Sequence, residues 1–243
     1  MKKFLLSITA AFSLTTFLTQ ETKAQTSGVN AQTNADAAIR NSAMKSIDNR
    51  YSGIQGSPYW YQQWLPGKIK FENNVADIEK TEIKYDPFAS FVIVKTTSKD
   101  SLILEADKVK EFTLNLPNGE QGNIAFRKFP NLKVDDPKLK STFFQVIQEG
   151  NTAALKNLKK TLLKANFKGG YSANRTSDEI ISETNYYILK PDQSLIKVKL
   201  NRKSIIGALS DKESALSEYI KKEKLALQSE DDLKKVVNYY NSI

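Results

Sequence analysis

A change in hydrophobic period at Asn201 is the feature that most constrains the fold of this chain of 243 residues. Before Asn201, short apolar runs alternate with polar residues and stop at turn residues, which is typical of β-strands. After it, apolar residues recur every three or four positions, as they do on one face of a helix. The sequence therefore predicts an α+β fold in which a mainly antiparallel β domain is followed by helices.

The β domain is predicted over residues 56–200. Its runs are short and closely spaced, so we expect successive strands to be antiparallel neighbours. Residues 91–94 are all apolar, which indicates a strand buried on both faces, and Asn118-Gly119 favours a tight hairpin turn. The domain is expected to be a curled sheet, a clam or a partly closed barrel.

Residues 152–165 fit two interpretations. Leu155, Leu158 and Leu162 have helical spacing. The corner at Gly150-Asn151, which directly follows an apolar run, is instead typical of a hairpin return. Both interpretations stay open, and the corner favours a strand.

The helical segment, residues 201–243, contains two capping-box patterns. One begins at Ser210 and the other at Ser229, and each precedes an apolar stripe. They predict two or three C-terminal helices. Each stripe needs an apolar partner, so we expect the helices to pack on the β domain.

The N-terminus has the pattern of a cleavable signal peptide. Lys2 and Lys3 precede an uncharged, mainly apolar stretch at 4–18, which is too short to span a membrane. Small residues at Thr22 and Ala24 predict cleavage after residue 24. We therefore expect residues 1–24 to direct export and the rest of the chain to be periplasmic or secreted, with no membrane span.

Residues 25–55 are rich in Ala, Asn, Gln, Thr and Ser. Such a composition buries little apolar surface, so this segment is predicted to be a polar tether or a weak helix that depends on docking for order. Gly53, Gly56 and Pro58 then mark a break before the folded domain.

The chain contains no Cys and no His. Ser-His-Asp and Cys-His catalysis, His- or Cys-ligated metal sites, disulfides and a lipid anchor on Cys are therefore excluded. Carboxylate, Lys or Tyr chemistry and oxygen-ligated cations remain. No catalytic residue, metal site or cofactor is assigned.

An aromatic cluster, Tyr59, Trp60, Tyr61 and Trp64, holds both tryptophans of the chain. Exposed, these rings would stack on sugar rings. Buried, they would close one end of the β domain, and the sequence favours this second role.

Six basic residues between Gly150 and Ser177 have no acidic residue among them, and the whole chain carries a formal net charge of +9. Such a segment attracts anionic surfaces or forms a solvated face. Nucleic acid is not expected, because few aromatic residues are interleaved. The six are Lys156, Lys159, Lys160, Lys164, Lys168 and Arg175.

Two pairs of adjacent carboxylates, Asp135-Asp136 and Asp231-Asp232, are the candidates for hydrolytic chemistry. The first pair lies in a predicted loop, and helix capping accounts for the second. Neither pair predicts an active site on its own.

Several short motifs resemble a group of uncharacterised exported proteins of Bacteroidota. The resemblance covers most of the chain after residue 24 and implies export and a β-then-helix architecture, with no activity to transfer. Asp100-Ser101-Leu102 also resembles the O-glycosylation signal of that phylum. The motifs are Gly56-Ser57-Pro58-Tyr59 with Trp64 and Gly67, Val109-Lys110-Glu111-Phe112, residues 143–150, Leu209-Ser210-Asp211-Lys212 and Tyr239-Tyr240-Asn241-Ser242.

Three functions stay open. The first is an exported, non-enzymatic binding or interaction scaffold whose partner is an anionic envelope component or another envelope protein. The second is a carrier that holds an apolar or amphipathic ligand inside the β domain. The third is a carboxylate-based hydrolase of glycans, which requires two acids facing one cleft.

Overall fold

The computed structural model describes residues 43–45, 49–72, 77–96, 100–117, 122–165 and 177–243, with backbone only for the first of these ranges. The predicted signal peptide, the segment 25–42, the turn at Asn118-Gly119, Lys168 and Arg175 lie outside the described residues.

Within these ranges the chain forms twelve strands and four α-helices. The strands are β1 Ala43–Lys45, β2 Gln55–Gly56, β3 Leu65–Phe71, β4 Ile78–Asp86, β5 Phe91–Lys95, β6 Ser101–Leu104, β7 Val109–Asn115, β8 Asn123–Arg127, β9 Phe144–Gln148, β10 Ala153–Leu163, β11 Glu179–Leu189 and β12 Leu195–Val198. The helices are α1 Lys138–Ser141, α2 Arg202–Ala208, α3 Glu213–Lys222 and α4 Glu230–Ser242.

All twelve strands belong to one open, curled sheet in the order β1-β6-β5-β4-β3-β7-β8-β9-β10-β11-β12, with β2 added to β11. Every neighbouring pair is antiparallel except β2 and β11. The predicted α+β class with a curled sheet is confirmed. The expectation that successive strands are neighbours is wrong between β6 and β7, because the chain crosses at residues 105–108 to pair β7 with β3.

The ambiguous segment 152–165 forms strand β10, so the interpretation based on the Gly150-Asn151 corner is confirmed. Part of the predicted tether or weak helix is also extended, because β1 pairs with β6 and residues 55–56 pair with β11. Ser101, in the possible glycosylation signal, begins β6.

Three C-terminal helices follow the sheet, within the predicted number. Ser229 caps α4 as predicted, because its Oγ accepts a hydrogen bond from the Asp232 backbone N–H at 3.1 Å. The capping box predicted at Ser210 is wrong. That serine begins a 3₁₀ turn and forms no capping bond, while the neighbouring Asp211 accepts a hydrogen bond from the Tyr240 hydroxyl at 2.6 Å.

Apolar side chains of the described residues form three clusters. The first is formed mainly by residues of strands β3 to β8 and includes Phe112 and Phe126. The second lies between helices α2 to α4 and strands β10 to β12, as the apolar stripes of the helices require. The third, around Phe144 and Tyr187, lies on the opposite face of the sheet, because neighbouring residues of a strand point to opposite sides.

Residues 49–64, named the clasp here, connect two distant strands of the curl. The backbone N–H of Gln55 donates to the Asp178 carbonyl just before β11, at 2.9 Å, and the N–H of Trp60 donates to the Tyr85 carbonyl in β4, also at 2.9 Å. Strands β4 and β11 are six positions apart in the sheet order. The clasp therefore holds the sheet in its curled form.

A buried carboxylate anchors the clasp. Asp86, which is 0% exposed, accepts hydrogen bonds from the Tyr51 hydroxyl at 2.5 Å and the Ala89 backbone N–H at 3.0 Å. The guanidinium of Arg50 lies 3.7 Å from the same carboxylate. Burial raises the pKa of Asp86, while the bond from Tyr51 and the charge of Arg50 act to lower it.

Gly67 allows the close approach of β3 and β7. A Cβ at this position would overlap the Thr113 carbonyl oxygen and lie 2.8 Å from Ile83 Cδ1. We predict that Gly67→Ala lowers the free energy of unfolding by about 3 kcal/mol, because overpacking at a buried backbone contact forces strands apart. Urea denaturation measures this change.

Gly207 in α2 provides the matched control, because nothing lies within 4 Å of a Cβ built there. Gly207→Ala should raise the free energy of unfolding by about 0.5 to 1 kcal/mol through helix propensity. Equal effects of the two substitutions would show that β3 and β7 are not packed as described.

Tyr51→Phe tests the anchor of the clasp. The pKa of Asp86 is raised above 3.8. The contribution of Asp86 to the free energy of unfolding is therefore largest in acid and is lost as the pH rises through the folded-state pKa. Loss of the Tyr51 bond raises that pKa further. We predict that Tyr51→Phe lowers the free energy of unfolding by about 2 kcal/mol near pH 8 and by clearly less near pH 4.

Denaturation curves at the two pH values measure this difference. Tyr219→Phe is the control, because Tyr219 lies on α3 with its ring stacked on Tyr239 rather than beside a buried acid. The control should change stability little at either pH. A loss for Tyr51→Phe that does not depend on pH would contradict the role given to its bond with Asp86.

Candidate functional site

The clasp contains the predicted aromatic cluster, and the four aromatic residues lie in two different environments. Trp60 points inward, where its ring stacks on Tyr85 with 6.1 Å between centroids and meets Phe126 edge-on at 4.9 Å. Both Trp60 and Tyr61 pack against the first apolar cluster. These two residues therefore pack against the core of the β domain, and their closing of one end of it stays a prediction.

Tyr59 and Trp64 lie on the other side of the clasp and contact lysines of strands β4 and β5. Lys84 Nζ lies 4.3 Å from the Tyr59 ring centroid and 5.4 Å from that of Trp64, and Lys95 Nζ lies 5.0 Å from Trp64. We name Tyr59, Lys84, Trp64 and Lys95 the cation–aromatic row. Each of the four side chains is half-buried, so each keeps part of its surface in contact with solvent.

An acidic residue, Glu82, lies beside the row. Glu82 forms an ion pair with Lys95 at 2.7 Å and is itself exposed. Exposed ion pairs of this kind contribute little stability and leave the lysine accessible to other anions. Gln62 and Gln63, which precede Trp64, are exposed. The row therefore combines flat rings and ammonium groups, and two exposed amides precede it in the chain.

The predicted basic segment is paired with acids that are distant in sequence. Lys156 contacts Glu230 of α4 at 2.7 Å, and Lys164 contacts Asp178 at 2.9 Å. Lys160 donates to the Ser182 hydroxyl at 2.8 Å, and burial lowers its pKa. Lys159 is exposed.

Asp178 directly precedes β11 and Glu230 begins α4, and the sequence does not reveal either element as a neighbour of β10. Strand β11 pairs with β10 along its full length, and Glu183 lies opposite Lys159. The segment is therefore less positive in three dimensions than in sequence, and Lys168 and Arg175 are not among the residues described.

Residues of the predicted aromatic cluster and of the predicted basic segment meet at a polar junction between the first and second apolar clusters. Glu230 Oε1 accepts bonds from Lys156 at 2.7 Å and from the Tyr186 hydroxyl at 2.8 Å. Lys156 Nζ also lies 5.9 Å from the ring centroid of Trp60. Burial raises the pKa of Tyr61, and the nearby Glu230 carboxylate raises it further. Trp60, Tyr61, Lys156, Tyr186 and Glu230 form this junction.

Register explains why the junction forms. Phe126, Gln145, Lys156 and Tyr186 are opposite one another on four neighbouring strands, so they form one row across a single face of the sheet. This line of cross-strand neighbours is apolar at Phe126 and polar from Gln145 onward, where the first turn of α4 lies beside it. Gln145, Tyr186 and Glu230 were not predicted as site residues. Of the three, Gln145 has a local signal, because it is a polar residue inside an apolar run.

A cavity of about 150 Å³ lies beside the junction, between strands β8 and β9 and the first turn of α4. Gln145 lines it and is 7% exposed, and its Oε1 atom has no hydrogen-bond partner in the structure. The full lining is Asn123, Ile124, Gln145, Val146, Ile147, Glu230, Asp231 and Lys234.

One member of each carboxylate pair has a local structural role. Asp136 Oδ1 accepts the Lys138 backbone N–H at 3.0 Å at the start of α1, and Asp232 accepts the Leu227 N–H at 2.9 Å. Asp231 lines the cavity described above. Among the described residues, no three acidic side chains are grouped closely enough to hold a metal ion.

In the described part of the chain, no helix is both long enough and apolar enough to cross a bilayer. Comparisons with models of protein families, with curated proteins and with solved structures found no match to this chain.

Proposed function

We propose that this chain is an exported, non-enzymatic binding protein that contacts an acidic polysaccharide of the cell envelope. The observation that carries the proposal is the cation–aromatic row, in which the rings of Tyr59 and Trp64 alternate with the ammonium groups of Lys84 and Lys95. Acidic sugars combine a flat apolar face with a carboxylate. The row offers a complement to both features.

The chemistry of such a contact is ordinary. An aromatic ring packs against the C–H face of a sugar, and a lysine ammonium forms a charge-assisted bond with its carboxylate. After residue 24 the chain keeps 33 basic and 26 acidic residues, a formal net charge of +7 that adds a long-range attraction for polyanions, which weakens as salt is added. We expect affinity from the row and speed of association from the overall charge.

Export is part of the proposal. Its support is the N-terminal pattern, in which Lys2 and Lys3 precede an uncharged stretch and a cleavage signal ends at Ala24. We place the protein in the periplasm or outside the cell. A lipid anchor on cysteine is excluded because the chain has none.

The carrier alternative has less support. A ligand inside the sheet needs space that side chains already occupy, because Ile93, Phe112, Phe126 and Phe144 are buried. Phe91 is half-buried, and the guanidinium of Arg50 lies 5.2 Å from its ring centroid.

The hydrolase alternative also has less support. Glu230 and Asp231 line the same cavity, but Glu230 is held in an ion pair with Lys156. A carboxylate that pairs with a lysine is a poor proton donor to a glycosidic oxygen.

The double variant Lys84→Gln/Lys95→Gln and the single variant Trp64→Leu test the proposal. Each should weaken binding to polygalacturonate by about tenfold, because each removes roughly 1.4 kcal/mol of contact. Isothermal titration calorimetry at low salt measures the affinity, and dextran serves as the uncharged polymer. Circular dichroism checks that the variants are folded.

Lys110→Gln/Lys140→Gln is the matched control, because it removes the same charge from exposed positions on β7 and α1. It should keep the wild-type affinity within about twofold. If both double variants lose affinity equally, the attraction is diffuse and the row is not a site. Absence of binding by the wild-type chain rejects the proposal for this class of polymer.

A further inference from the structure

We infer that the free side of β11 at residues 181–185, named the open edge here, binds an extended acidic segment of a partner protein as an added β-strand. The open edge is separate from the cation–aromatic row, and the inference does not depend on the function proposed above. Three features support it: unpaired main-chain groups, a gap of fixed length and an excess of positive charge.

Strand β11 is paired to different extents on its two sides. On one side, β10 pairs with it along its full length, from Glu179 to Leu189, without a register shift. On the other side, β2 pairs with Glu179 and Ile180, and β12 pairs with residues 186–189. Within the ranges that the structure describes, residues 181–185 therefore have no strand beside them on this second side.

The unpaired main-chain groups belong to Ser182 and Thr184. The N–H and C=O of a strand residue point to the same side, and that side alternates from one residue to the next. The Ile180 carbonyl oxygen faces β2, because a Cβ built on Gly56 would overlap it. The N–H and C=O groups of Ser182 and Thr184 therefore face the open edge. A row of such groups is a template for a further strand.

The flanking strands determine the length of the added strand. Strand β2 ends opposite Ile180, and β12 ends opposite Tyr186. A strand rises about 3.4 Å per residue, so the gap between them accepts roughly five residues, or about 17 Å. Residues 181–184 are all exposed, and successive residues point to opposite faces of the sheet. Both faces of β11 are therefore accessible here.

A second copy of this chain fits the gap poorly. Two open edges paired about a two-fold axis at the centre of the gap would place Glu183 directly opposite its counterpart, and like charges in that position are unfavourable. Such pairing would also bring β2 of each copy against β12 of the other, because both strands flank the gap closely. A short segment of a different protein meets neither obstacle.

The charges at the gap favour an acidic segment. Strand β10 contributes Lys159 and Lys160 next to the open edge, and Lys197 of β12 lies 3.3 Å from Glu183. The open edge and these neighbours thus combine three lysines with one glutamate. Opposite charges on neighbouring strands attract each other. Ile181, which is 40% exposed, adds an apolar surface for a β-branched side chain.

The test titrates the full chain with acetyl-Thr-Val-Glu-Val-Thr-amide while NMR follows the backbone amides of Ser182 and Thr184. Two further versions of this peptide are N-methylated, each on one of the two alternating sets of backbone nitrogens. A strand that is added to a sheet edge donates through one set, so one methylated version should bind and the other should not. A version with lysine in place of glutamate should bind about tenfold more weakly.

Thr184→Pro removes an N–H that faces the open edge. Proline is tolerated in a strand whose nitrogen faces solvent, so the melting temperature should change little, while saturable binding of the acidic peptide should be lost. Glu183→Pro is the control for the assignment of sides, because the Glu183 N–H faces β10. Its melting temperature should fall by about 6 to 12 °C.

Lys159→Gln/Lys197→Gln should weaken binding of the acidic peptide by about fivefold. Lys110→Gln/Lys140→Gln removes the same charge from distant strand β7 and helix α1 and should leave that binding unchanged.

The inference is overturned if the Ser182 and Thr184 amides respond to none of the peptides, or if both methylated versions bind equally well. Equal losses in the two lysine double variants would show diffuse attraction and would also overturn it. Sedimentation velocity separates the other occupant: a dimer of the wild-type chain that Thr184→Pro dissociates would assign the open edge to a second copy. The methylated peptides test the same hydrogen bonds without a variant, so a failure of Thr184→Pro to fold does not decide the result.

Discussion

The packing of Trp60 against Tyr85 and Phe126 is the interaction on which the rest of the structure depends. Its ring lies between strand β4, strand β8 and the lysine that projects from β10. These strands are separated in the order of the sheet, so a sheet without this curl would not bring them around one ring. The clasp carries this ring into place, and Tyr51 and Asp86 hold the clasp at its other end.

Inward packing of Trp60 also determines what remains at the surface. Because the chain is short between Trp60 and β3, Trp64 is confined to the far side of β4, beside Lys84 and Lys95. On the inner side, the row of residues opposite Phe126 becomes polar at Gln145 and meets the acidic start of α4. The cation–aromatic row and the polar junction are thus both consequences of one partly buried ring.

Much of the fold follows from local sequence. Alternation predicted the strands, the Gly150-Asn151 corner indicated β10, and the cap at Ser229 located α4. The pairing of β3 with β7 was missed, because short connections favour successive neighbours and nothing local marks an exception. Ser210 matched a capping pattern, but the neighbouring Asp211 bonds to Tyr240, a contact distant in sequence.

The candidate site was only partly predictable, for a related reason. Composition drew attention to the aromatic cluster, but Trp60 and Trp64 lie in an irregular segment without a period that would separate inner from outer residues. The charge of the basic segment was overestimated, because Glu230 and Asp178 reach Lys156 and Lys164 only through tertiary contacts. Gln145 can be recognised as a neighbour of the junction only from the strand register, which places it opposite Phe126 on the face that α4 covers.

The division of the aromatic cluster is the central claim, and the two tryptophans allow it to be measured directly. Trp64→Phe leaves Trp60 as the single tryptophan, whose emission is excited selectively at the red edge of the absorption band, and Trp60→Phe leaves Trp64. We expect iodide to quench Trp64 much more strongly than Trp60, because two ammonium groups lie 5.4 and 5.0 Å from the Trp64 ring. Caesium should quench neither strongly. Equal iodide quenching of the two single-tryptophan variants would contradict the account.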